Sequence, residues 1–130
     1  MEDFYLDAAF SKEEFKIMDL KLCTLILNDN KLFPWVILVP RRNGVKEIID
    51  LNRDDQHLLM DEIALISNLM KKIFQPKKLN IAAFGNIVPQ LHIHIIARFE
   101  EDKAWPNSVF GGEVKPYEMF ERDLIIRKIK

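Results

Sequence analysis

Two of the three histidines in this 130-residue chain stand two positions apart in the stretch Gln90-Leu91-His92-Ile93-His94-Ile95-Ile96-Ala97-Arg98. Side chains alternate faces along an extended strand, so Leu91, Ile93, Ile95 and Ala97 line one face and Gln90, His92, His94 and Ile96 the other. The pattern predicts a core face and a site face, with two imidazoles close enough to meet one small anion, metal or phosphate. Four chemistries fit such a pair. The rings can be structural, hydrogen-bonded to backbone or simply exposed. They can be metal ligands, since His at i and i+2 on a strand suits zinc or copper. Further ligands must then come from His57, Cys23 or scattered carboxylates, none at a spacing that promises closure. A neutral imidazole can attack phosphorus if its other nitrogen donates to a fixed acceptor such as a strand carbonyl. Finally, the pair can hold a phosphate without reacting, as in a nucleotide-binding or sensing module.

The elements that would position this strand follow from the rest of the sequence. Met1 to Phe10 mixes acids with aromatics and predicts an irregular arm or a short helical turn. Phe15, Ile17 and Asp19 fit a short strand, and Leu22 to Leu27 is a second, ending at the turn-forming Asn28-Asp29-Asn30. Trp35 to Val39 is nearly all apolar and reads as a central strand joined to the second by a hairpin, with Pro40 ending it. After the Arg41 to Gly44 loop, Leu58, Leu59, Ile63, Ile66, Leu69, Met70 and Ile73 recur at helical spacing up to Pro76, with Asp54 as the predicted N-cap. Leu79 to Phe84 is a fourth strand, whose small Ala82 and Ala83 predict a close approach by backbone or ligand. Gly85 to Pro89 turns the chain back into the histidine strand as its antiparallel neighbour. Tyr117, Phe120, Leu124, Ile125 and Ile129 fit a short terminal helix with Pro116 near its start. The fold class is therefore α+β, a five-stranded antiparallel sheet with one long helix and a short C-terminal helix.

Length predicts one domain over residues 1–130. The composition, 48% hydrophobic and 30% charged, is that of a soluble protein. With 19 basic against 20 acidic residues the net charge is −1, too balanced for a nucleic-acid polymer, though a small nucleotide needs only a few local donors. The single cysteine, Cys23, excludes an internal disulfide and reads as a buried small hydrophobe. No apolar run is long enough to span a membrane, and the acidic Met1-Glu2-Asp3-Phe4 shows no signal peptide, so the expected location is cytoplasmic.

The histidine strand resembles the signature of the histidine triad (HIT) family, His-φ-His-φ-His-φ-φ with φ apolar, with Gln90 at the first His. Pro34-Trp35-Val36-Ile37-Leu38-Val39-Pro40-Arg41-Arg42 is similar to the family's upstream strand, and Trp105-Pro106 resembles its Trp-Pro after the motif. The resemblance implies a homodimer acting on a purine nucleotide or nucleotide ester, without a metal or other cofactor. By this likeness His92 would attack the α-phosphate of a phosphoramidate or dinucleoside polyphosphate, His94 would hold a phosphate oxygen or the bridging atom, and Gln90 would offer its carbonyl to the His92 ring. Asn28 and Asp29 lie where the family meets the ribose; turn formation is the competing role. Two further departures are Trp35, where the family often has His, and the short apolar loop before the motif, in which Asn86 is the only polar side chain able to reach phosphate. These departures keep open a nucleotide-binding module without efficient catalysis. Trp105 reads as a packing or dimer-contact aromatic, Arg98 as a solvated strand end, and Arg41, Arg42 and His57 as surface residues.

Overall fold

The computed structural model describes residues 3–130; Met1 and Glu2 of the expected arm lie outside the described residues. Five strands, β1 (Lys16–Asp19), β2 (Cys23–Leu27), β3 (Trp35–Pro40), β4 (Lys78–Ala82) and β5 (Ile93–Arg98), form one antiparallel sheet in the order β1-β2-β3-β5-β4. The helices are α1 (Arg53–Phe74) and α2 (Met119–Ile129). Every residue of β2, β3 and β5 is buried, which is why these strands read as almost unbroken apolar runs.

One face of the sheet carries the larger core. Leu25, Leu38, Ile93, Ile95 and Ala97 pack there against Leu59, Ile63, Ile66 and Met70 of α1 and Ile126 and Ile129 of α2. The apolar positions of α1 recur every three or four residues, so one side of the helix meets the sheet along its length. The opposite face was expected to be the site face. There Phe10, Phe33 and Val109 also cover Ile26, Trp35, Ile37, Val39 and Ile96 in a second buried cluster. The histidines thus lie under a partial roof of loop residues.

Several element ends differ from the expected places, among them that of β4, which stops at Ala82 and not at Phe84. Asn52, and not Asp54, caps α1: its side chain accepts from the Asp55 backbone N–H at 2.8 Å. Asp54 and Asp55 then occupy the first turn, where the positive end of the helix dipole favours carboxylates. Ladder pairing of the motif strand begins at Ile93 and not at Gln90, because the Leu91 N–H is taken by the Val45 carbonyl at 3.0 Å. At the other end of the chain, α2 starts behind Glu118, whose side chain and that of Glu121 form a capping box. A buried carboxylate fastens α1 to the sheet: Glu62 accepts from the backbone N–H groups of Leu22 and Cys23 at 2.8 and 2.9 Å.

Candidate functional site

His92 and His94 are 6% and 7% exposed, with ring centroids 4.8 Å apart. Each ring has one nitrogen committed, and the two commitments are opposite. The Nδ1 of His92 lies 2.7 Å from the Gln90 carbonyl. A carbonyl can only accept, so Nδ1 carries the hydrogen and the neutral ring keeps its lone pair on Nε2. His94 Nδ1 lies 2.9 Å from the Trp35 indole N–H, which can only donate. His94 therefore accepts at Nδ1 and carries its hydrogen on Nε2. The pair presents one nucleophilic nitrogen and one donor. Burial, and next the nearby His92, bring the His94 pKa down to about 4, so this ring is a neutral hydrogen-bond donor at neutral pH.

Aromatic rings fix both imidazoles from the side. Phe10 packs on His92 at 4.7 Å, and Trp35 and Phe110 meet His94 at 5.6 and 4.9 Å. Phe110 in turn stacks on Phe84. Gly85 passes close beneath His92 at a φ of +54°; a Cβ there would meet the Val88 carbonyl at 3.3 Å and His92 Cε1 at 3.8 Å. The positive φ favours glycine, and a Cβ would also crowd the Val88 carbonyl, while its distance to His92 would be ordinary contact.

The loop carrying Phe110 hangs on Arg98. Expected to be solvated, Arg98 is instead 1% exposed. Its guanidinium donates to both oxygens of Asp102, to Asn80 Oδ1 and to the Asn107 carbonyl, and lies 5.7 Å from the rings of Phe33 and Trp105. The reason is local. Asp102 follows four residues later in a turn, where its carboxylate also accepts from the backbone N–H groups of Phe99, Ala104 and Trp105. Burial alone would raise the Asp102 pKa, but Arg98 and those three N–H groups outweigh it and bring it to about 2. Trp105 accordingly packs on a buried cation.

Four of the predicted residues converge. Asn28, Asp29, His92 and His94 line one cavity of about 300 Å³, with Phe10 and Lys12 on its wall. Asp29 also accepts from the Tyr117 N–H at 2.8 Å, and the buried Asn30 bonds the backbone of Leu32, Glu113 and Lys115. The turn both lines the cavity and anchors the segment leading to α2. Gln90 and His92 border a neighbouring cavity of about 340 Å³ with Lys46, Ile49, Phe84 and Gly85. Asn86 is exposed in the preceding turn and lines neither cavity.

His57 is exposed and Cys23 is buried, with its thiol pKa pushed far up by burial and then by the Glu62 charge. Among the described residues, no three His, Cys, Asp or Glu side chains gather into a cluster able to hold a metal ion. Arg41 is half-buried, and Arg42, exposed, pairs with Asp55 at 2.7 Å. No helix among the described residues is long and apolar enough to cross a membrane. Sequence reasoning missed Phe10, Phe110 and Asp102. The first two carry no periodic signal, whereas Asp102, four residues after an arginine at a strand end, was available as a clue.

The model of the HIT domain matches residues 9–101, which holds both histidines and all five strands. The chain belongs to the HIT-domain family. It is similar to a histidine triad protein of Bradyrhizobium japonicum, with 41% identity over 98% of this chain and 96% of that one and a TM-score of 0.92. A histidine triad protein of Marinobacter aquaeolei is 36% identical over 99% of this chain and 95% of that one, with a TM-score of 0.94. The fold is shared more distantly with a Plasmodium falciparum diadenosine triphosphate hydrolase, 19% identical over 100% of this chain and 83% of that one, at a TM-score of 0.69. No curated protein matches the sequence.

Proposed function

We propose that this HIT-family chain is a nucleotide hydrolase or nucleotidyl transferase acting at an α-phosphate through an intermediate on His92. The observation that carries the reading is the opposite tautomers of the two rings, set by the Gln90 carbonyl and the Trp35 indole beside one cavity. In this reading the His92 Nε2 lone pair attacks phosphorus, and an N–P bond forms as the bond to the bridging oxygen or nitrogen breaks. The leaving group departs with that electron pair. His94 Nε2–H donates to a phosphoryl oxygen or to the bridging atom. Water, or another acceptor in a transfer, then attacks phosphorus and restores the imidazole, and with water the product is a nucleoside monophosphate.

The substrates are phosphoramidates or phosphoanhydrides of a purine nucleotide, with Asn28 and Asp29 as acceptors for the ribose hydroxyls. The same reading has the chain acting without a cofactor, as a cytoplasmic homodimer; light scattering on the purified protein tests the dimer. The test of activity is turnover of adenosine phosphoramidate and diadenosine polyphosphate by wild type beside His92→Ala. Product from wild type alone supports the reading, and equal rates would sink it.

One observation favours the alternative, a nucleotide-binding module without efficient turnover. The Gln90 amide is bonded to the N-terminal segment and Asn86 lines neither cavity, which in this alternative leaves the leaving group without a side-chain donor from either. That reading predicts calorimetric binding of a nucleoside monophosphate with no product from any ester.

A further inference from the structure

Gln90 occupies the first motif position, and its side chain is bonded to the N-terminal segment. Its Oε1 accepts from the Asp7 backbone N–H at 2.8 Å, and its Nε2 donates to the Tyr5 carbonyl at 3.0 Å. The carbonyl of one residue and the N–H two residues on point to the same side of an extended segment. A primary amide, with donor and acceptor on one planar head, can serve both, whereas a carboxylate offers acceptors only. Gln90 thus pairs with the N-terminal segment much as a neighbouring strand would.

Asp7 transmits the tie. Its carboxylate accepts from the Ala9 N–H at 2.9 Å and its carbonyl from the Phe10 N–H at 2.8 Å, which closes the turn Ala8–Phe10. That turn delivers the buried Phe10 onto the His92 ring and sets Ala9, Phe10 and Lys12 along the cavity holding Asn28 and Asp29. A second tie, Asn43 Nδ2 to the Asp3 carbonyl at 2.7 Å, holds the start of the same segment. One residue therefore touches both halves of the site. Its carbonyl sets the His92 tautomer, and its amide holds the segment that walls the cavity.

We infer that Gln90 is a positioning residue that latches residues 5–10 into a fixed wall of the nucleoside cavity, so that the first motif position acts on ligand binding through Phe10. The inference rests on the nucleotide reading above and names the group within that site that sets nucleoside affinity.

The test compares wild type, Gln90→Ala, Gln90→Glu, Phe10→Ala and the double variant Gln90→Ala/Phe10→Ala. Amide hydrogen exchange of the free protein should show the Asp7 N–H protected in wild type and released in Gln90→Ala, without change in β3 or α1. Calorimetry with adenosine monophosphate should show affinity weakened about tenfold in Gln90→Ala and similarly in Phe10→Ala. Gln90→Glu should lose part of it, keeping the Asp7 bond and losing the Tyr5 bond. Because both residues act through one segment, the double variant should be little weaker than either single one. With a turned-over ester, KM should rise more than kcat falls. Unchanged Asp7 exchange in Gln90→Ala, additive losses in the double variant, or a fall confined to kcat would overturn the latch. Absence of any adenosine monophosphate binding by wild type would instead remove the nucleotide reading and the affinity role with it, while the exchange data still decide whether Gln90 holds the segment.

Discussion

Replacing Trp35 by Phe removes the N–H that bonds His94 Nδ1 while keeping most of the apolar bulk. The indole donates to His94 Nδ1 at 2.9 Å, and both side chains are buried, Trp35 at 6% exposure. Phe cannot donate, so Nδ1 becomes a buried acceptor without a partner, a loss of about 1–3 kcal/mol. A second effect follows on titration. With Trp35 present, protonating Nδ1 requires breaking that bond, in addition to the burial and the His92 proximity that hold His94 to about 4. In Trp35→Phe the His94 pKa should therefore rise. Urea unfolding of both proteins measures the first effect as a shift in midpoint at constant slope, and nitrogen NMR of the two rings across pH measures the second. A stability change of less than about 0.5 kcal/mol, within the range of neutral surface substitutions, together with an unmoved His94 titration would refute the assignment of the Trp35 bond as the lock on this ring.

Arg98→Met should destabilise the fold by about 3–5 kcal/mol in the same urea assay, since it leaves the buried Asp102 carboxylate without its cation; it should also loosen Phe110 from His94, read as lost ring-contact signals by NMR. Glu62→Gln turns one of two acceptors facing the Leu22 and Cys23 N–H groups into a donor, and should lower stability by about 1–3 kcal/mol. Stability should also depend on pH. His94 has its pKa lowered from 6.5 to about 4, so the unfolded chain binds a proton that the folded chain refuses within that window. The contribution is intact above 6.5 and is lost as pH falls to about 4, to the extent of about 3 kcal/mol. Asp102, lowered from 3.8 to about 2, extends the loss to still lower pH; urea midpoints measured across this range check both. If the chain is an enzyme, the neutral His94 is a weak proton source, so esters with acidic leaving groups should turn over faster than alkyl phosphoramidates in a competition assay.

The fold was legible because its signals are local. Unbroken apolar runs marked β2 and β3, helical spacing marked α1, and the Asn28-Asp29-Asn30 and Gly85 turns joined antiparallel neighbours. The histidine pair was legible for the same reason, as period-two alternation on a strand, whereas the Gln90 carbonyl came from the family resemblance. What escaped depends on residues distant in sequence. Nothing near Phe10 says that it meets His92, because the contact joins segments far apart in sequence, as do the bonds from Gln90 to residues 5 and 7. Arg98 looked solvated because a charge at a strand end ordinarily is; its burial depends on a carboxylate, two carbonyl oxygens and two aromatic rings gathered from three segments, at Phe33, at Asn80 and in the turn from Asp102 to Asn107. Trp35 stood out only as a departure from the family's frequent His, and its effect on the site comes from the hydrogen it donates.

The most direct test of the proposed chemistry is to catch the nucleotide on the protein. Wild type mixed with diadenosine polyphosphate, quenched in alkali because a phosphorus–nitrogen bond to imidazole is labile in acid, and digested for mass spectrometry should yield the peptide containing His92 with one adenylyl group on that ring, transient in wild type and absent in His92→Ala. Product formation with the adduct on another residue, or with no adduct and an undiminished rate in His92→Ala, would contradict the account.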